Sequence, residues 1–137
     1  MKWFGNKMPV IGIDTGNYNI KTSSFCFTSG FQEVPKDASF EHMLSFGETC
    51  YALTEERLPI RMDKTENEDF LILSLFGIGK ELVKNKVSPG VYDAILSVGL
   101  PPGFLTAGKL RDNLRAYYNR EFFFEYNGNI YTLRVKK

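Results

Sequence analysis

The residues best suited to chemistry lie near the start of the chain, in the stretch IGIDTGNYNIK at positions 11–21. An apolar run through Val10, Ile11 and Ile13 delivers Asp14 to a turn containing Gly16 and Asn17, after which Asn19, Ile20 and Lys21 open a second extended run. Each residue type has a use in handling a phosphate. Glycine lets backbone N–H groups approach an anion closely, because no Cβ stands in the way. A carboxylate at a strand end can hold the water shell of Mg²⁺, which keeps several waters and takes only one or two carboxylates. A lysine beside the turn adds a point charge that neutralises phosphate oxygens. The same residues also build an ordinary tight turn, the more frequent meaning of D-x-G between two strands, so spacing alone leaves both readings open.

The elements that must position this turn can be read along the rest of the chain. The run from Met8 and the β-rich IKTSSFCFT read as a hairpin, SGFQEVPKDA as a loop, and SFGETCYALTE as a further short strand or hairpin. Residues 65–86 predict a helix: Thr65 and Glu68 form a capping-box pattern, acids open the segment and lysines close it. Leu71, Leu75, Ile78 and Leu82 recur at helical spacing, and Ile72, Phe76 and Val83 widen the stripe, so this helix should be covered on much of its circumference. SPGVYD should break it. DAILSVGLPP then reads as a central strand buried on both faces, GFLTAGKLRDNLRAYYN as a second helix, and EFFFEYNGNIYTLRVKK as a hairpin turning at Asn127 and Gly128. The expected class is α/β, with a mixed five-stranded sheet and flanking helices.

Bulk composition excludes several classes of function. Seventeen basic residues against sixteen acidic ones give a net charge of +1, too little field to recruit nucleic acid or an anionic membrane directly. Hydrophobic residues at 43% and charged residues at 24% suit an ordinary soluble domain of cytoplasmic type. No apolar run reaches the ~20 residues of a membrane-spanning helix, and the first residues lack the apolar core of a signal peptide. Cys26 and Cys50 are expected as buried, reduced thiols. The single histidine, His42, is expected at the surface, and the aromatic run from Phe122 to Tyr126 in the core.

The stretch VIGIDTGNYNIK resembles the first phosphate motif of the actin, sugar-kinase and heat-shock-chaperone ATPase superfamily, and is most similar to the plasmid-segregation actins of the ParM/StbA type. SFGETCYALT, the long apolar helix after DKTENED, and ILSVGLPP resemble further segments of those proteins in the same order, with DTGNYNIK and SVGLPP the most specific pieces. The resemblance implies a ribonuclease-H-like actin lobe over residues 1–137, a single N-terminal domain (lobe I) with the second lobe absent. It implies ATP or ADP with Mg²⁺ as cofactor: Asp14 would organise Mg²⁺ through water, the backbone around Thr15, Gly16 and Asn17 would contact the phosphates, and Asn19 and Lys21 would flank them.

The family's activity is ATP hydrolysis in filaments that segregate plasmids or other DNA. Its second phosphate hairpin, adenosine loop and water-activating acid lie beyond the matched region, so this chain is expected to bind nucleotide phosphate without being catalytic alone. The implied partners are further copies of itself, actin-like subunits and an adaptor protein, with no direct contact to nucleic acid or membrane. The alternative is a non-catalytic interaction module that retains the actin-like fold; a third reading is a lobe of a sugar or acetate kinase.

Overall fold

The computed structural model describes residues 2–4, 8–15, 19–55, 69–99 and 120–135. These form ten strands and one helix: β1 (Lys2–Phe4), β2 (Met8–Thr15), β3 (Asn19–Lys21), β4 (Cys26–Thr28), β5 (Phe31–Val34), β6 (Met43–Phe46), β7 (Thr49–Leu53), α1 (Asp69–Lys84), β8 (Gly90–Gly99), β9 (Glu121–Tyr126) and β10 (Asn129–Val135). All strands belong to one mixed sheet, in the order β4-β3-β2-β8-β10-β9-β6-β7-β5, with β1 paired beside β2. The three strands β2, β8 and β10 run parallel, and every other pairing is antiparallel.

The sheet is therefore larger than the five strands expected, for local reasons. The run IKTSSFCFT is two strands, because residues 22–25 fold into a turn in which Thr22 N–H donates to the Phe25 carbonyl at 2.8 Å and Phe25 N–H to Thr22 Oγ1 at 3.2 Å. FQEV, expected within a loop, is edge strand β5, whose backbone pairs with β7 from Phe31 opposite Leu53 to Val34 opposite Cys50; Pro35 follows it directly, as suits a strand end. The SFGETCYALTE segment is the tight hairpin β6–β7, with Gly47 at φ 64°. The Asn127-Gly128 hairpin forms as expected, both turn residues having positive φ (47° and 85°), the signature of a two-residue turn that matches strand twist. β8 starts at Gly90 rather than at Asp93, and it is less evenly buried than expected: Ala94 and Leu96 lie in the core, while Ile95 is half-buried and Ser97 is exposed. The expected second helix, residues 103–119, lies outside the described residues, as does the capping box at residues 65–68.

The first and last strands of the sheet path, β4 and β5, are joined by Ser29 and Gly30 alone. Thr28 and Phe31 can then be no more than about 10 Å apart, so the sheet curls back on itself. α1 lies in its hollow, touching β2, β3, β6 and β9, and every residue from Phe70 to Leu82 is buried. This exceeds the one-sided burial of an ordinary surface helix. Two helical glycines admit the opposing walls. A Cβ on Gly79 would lie 2.6 Å from Tyr126 Cγ on β9, and one on Gly77 would lie 3.0 Å from the Thr22 methyl after β3. α1 ends before Pro89: Lys86 takes the left-handed conformation (φ 59°), and Val87 N–H donates to the Leu82 carbonyl at 2.9 Å, a Schellman closure with Val87 tucked into the core.

Candidate functional site

Two strand pairings bring the two most specific sequence pieces together. Asp14 is the cross-strand partner of Lys21 on β3, and Thr15 is the partner of Ile20. On its other side β2 runs parallel to β8, which places Gly12 beside Ser97, Ile13 beside Val98 and Asp14 beside Gly99. The carboxyl ends of two parallel strands thus meet where Asp14 stands, the position at which open α/β sheets take ligands.

Side-chain alternation sorts these residues between the faces. Ile11, Ile13 and Ile20 are buried on the α1 side, which sends Asp14, Asn19 and Lys21 to the opposite face, where all three are exposed. Of the six candidates named from sequence, the structure gathers Asp14, Asn19 and Lys21 on one surface and puts Thr15 in the strand beside them. Gly16 and Asn17 lie outside the described residues.

Glu81, on α1, supports this hairpin and was not singled out in the sequence. It has no solvent exposure, and its Oε1 accepts from Thr22 Oγ1 and from Ser24 N–H, both at 2.7 Å. Asn85 Nδ2 donates to its Oε2 at 3.3 Å. Burial alone would raise the Glu81 pKa, but the hydrogen bonds from Thr22 and Ser24 outweigh it and hold the carboxyl below the usual glutamate range. The residue that follows Lys21 is thereby pinned to the helix. A lone acid among lysines near a helix end gives no sequence signal of such a role, because its partners lie 57 and 59 positions away.

The remaining singled-out residues divide. Phe122, Phe124 and Tyr126 are core, as expected, whereas Phe123 faces out at 64% exposure. Cys50 is buried, but Cys26 is exposed; both are free thiols. His42 is half-buried rather than a plain surface residue, its Nδ1 2.9 Å from the Tyr126 hydroxyl. Among the described residues there is no group of three or more His, Cys, Asp or Glu able to hold a metal ion, and no helix is long and apolar enough to cross a membrane.

With this topology in hand, solved structures supply the decisive comparison. Apo psk41 ParM superposes with a TM-score of 0.76 at 15% identity, over 96% of this chain and 48% of that one. The fold is that of a bacterial actin-like protein. Bacillus thuringiensis ParM with AMPPNP gives a TM-score of 0.70 at 12% identity, over 96% of this chain and 44% of that one. The AlfA filament bound to AMPPNP gives 0.61 at 11% identity, over 95% and 52%. The chain thus spans about half the length of the actin-like proteins it matches, as one lobe would. No protein-family model matches the chain, and no curated protein matches it in sequence.

Proposed function

We propose that this chain is the phosphate-binding first lobe of an actin-like filament protein that acts in plasmid or DNA segregation in the cytoplasm. The observation that carries the reading is the meeting of Asp14, Lys21 and Gly99 at the carboxyl ends of parallel β2 and β8 in an actin-like fold. Two of the actin-like structures of the same fold hold AMPPNP, and one of these is a filament.

The residues present suit a magnesium nucleotide. Asp14 is a single exposed carboxylate at a strand end, the donor set of a cation that keeps most of its waters. Lys21, its cross-strand partner, offers a positive charge on the same face, and Asn19 adds a neutral donor. In the proposed complex the backbone of Thr15, Gly16 and Asn17 contacts the phosphates, Lys21 offsets their charge, and Asp14 orients the water shell of Mg²⁺. When bound, the metal supplies charge neutralisation across the phosphates. Glu81 acts behind this surface by fixing the turn that follows Lys21.

Isothermal titration of the chain with Mg-ADP and Mg-AMPPNP tests the reading. Saturable binding that Asp14→Ala weakens at least tenfold is expected. Absence of heat at millimolar nucleotide, or an Asp14→Ala variant that binds like the parent, would overturn it. Filament formation through further copies is tested separately by sedimentation with and without Mg-AMPPNP.

A further inference from the structure

A cleft beside β4 borders a buried charge that no described residue meets in a hydrogen bond or contact ion pair, Glu41 acting on it only from a distance. Lys80 precedes Glu81 on α1, so the two side chains leave the helix about 100° apart. Lys80 is only 7% exposed. Its Nζ lies 5.3 Å from the centroid of the Phe25 ring and 5.4 Å from that of Phe27, and among the described residues it makes no hydrogen bond or ion pair.

This ammonium borders a cavity of 460 Å³ whose walls include the apolar side chains of Phe27, Phe40 and Leu53, a size within the range of small-molecule sites. None of Asp14, Asn19 and Lys21 lines it. Two carboxylates border it as well: Glu41, with its side chain 90% exposed, and Glu55, whose Oε2 is 3.5 Å from Thr28 Oγ1. His42 completes the border, tied through Nδ1 to Tyr126.

The charge states follow from position. Burial lowers the His42 pKa and the nearby Lys80 charge lowers it further, against the opposing pull of Glu41, so the imidazole is neutral at pH 7. Burial, with Glu41 adding to it, pushes the Tyr126 phenol up to about 12, so it stays protonated. Burial also lowers the pKa of Lys80 itself, with Glu41 opposing. A desolvated ammonium with no hydrogen-bond acceptor among the described residues costs stability, and an apolar residue would pack between two phenyl rings without that cost. An entering anion would remove the penalty. A plain anion would meet repulsion from Glu41 and Glu55, whereas an occupant positive at its outer end would meet attraction.

We infer that this cleft is a second ligand site, one that takes a small apolar zwitterion of the amino-acid type. Its carboxylate sits on Lys80 Nζ, its ammonium group faces Glu41 and Glu55, and its hydrocarbon body lies against Phe27, Phe40 and Leu53. The site is independent of the nucleotide reading.

Two-dimensional NMR titration of the full chain with L-phenylalanine, 3-phenylpropanoate and phenethylamine tests the inference. Saturable shifts are expected with L-phenylalanine in the amides of Phe27, Glu41 and Leu53, with affinity at least tenfold weaker for each of the two probes that lacks one charge. Lys80→Met should abolish the shifts while raising the thermal midpoint of the free protein. Glu41→Gln, an exposed change that leaves the fold intact, should weaken binding severalfold. No saturable shift with L-phenylalanine, equal binding of 3-phenylpropanoate, or undiminished binding by Lys80→Met would each overturn it.

Discussion

Glu81 and Lys80 are adjacent on α1 and both are buried, yet the two regions they serve are opposites. At the turn after β3, Glu81 receives hydrogen bonds from Thr22, Ser24 and Asn85. At the cleft beside β4, Lys80 has two aromatic faces and no counter-ion within the described structure. The first region is a closed polar network of the kind that rigidifies a fold when every member is satisfied. The second is a polar group held out of water with capacity to spare. A buried charge therefore means something different depending on whether its partners are already in the chain.

That contrast can be broken from either side. The largest effect is expected at the satisfied charge: Glu81→Ala leaves the Thr22 hydroxyl and Ser24 N–H without their acceptor and should cost about 3 kcal/mol in urea unfolding at pH 7. Its pH dependence has a definite sign. Because the folded carboxyl titrates below the usual range, its contribution is fully present above the ordinary glutamate value of about 4.3 and disappears as pH falls through the lower folded value. Glu81→Gln should therefore flatten the acid limb of the stability profile and leave the alkaline limb unchanged.

Next in size is the wall opposite that turn. Gly79→Ala would drive a methyl into the Tyr126 ring, with about 1–3 kcal/mol of overpacking partly offset by about 1 kcal/mol of helix propensity. Thermal unfolding should show a net loss. Gly77→Ala meets the Thr22 methyl at 3.0 Å, a wider approach than the 2.6 Å at Tyr126, so it should lose less, and an equal or larger loss than in Gly79→Ala would contradict the closer approach of β9 to α1. Lys80→Met is expected to stabilise by about 1 kcal/mol, since it removes a desolvated charge that no described residue meets in a contact ion pair. The smallest effect on stability belongs to Asp14→Ala, within about 0.5 kcal/mol for an exposed residue; its measurable consequence is in nucleotide titration.

The sequence revealed most where structure is local. The Asn127-Gly128 hairpin, the apolar helix and the antiparallel pairing of β2 with β3 at Asp14 all carry their signals within a few residues, and the motif resemblance pointed to the actin-like fold. It revealed least where a distant residue decides. IKTSSFCFT looks like one strand because nothing in it announces that Glu81 will fold residues 22–25 into a turn. FQEV looks like loop because its partner TCYAL lies beyond β6, so nothing adjacent to it in the chain announces the pairing. Lys80 and Glu81 look alike as charges near a helix end; only the enclosing walls separate them. For the candidate site, Asp14 and Lys21 were named from residue type and spacing and Asn19 from the motif resemblance, whereas the parallel neighbour that sets Gly99 beside Asp14 was legible only as a second motif of unknown position.

The Ser29-Gly30 link between β4 and β5 has a further consequence. These strands are next to each other in the chain but are the two ends of the sheet path, so the curvature around α1 is imposed by chain connectivity as well as by side-chain packing. It acts as a clasp. The hollow can open only as far as a few backbone bonds allow, and because β8, β9 and β10 arrive later in the chain, the ring around the helix is completed by its last-made members. A longer linker at this point would loosen a hoop, and the radius of the sheet would then rest on side-chain packing alone.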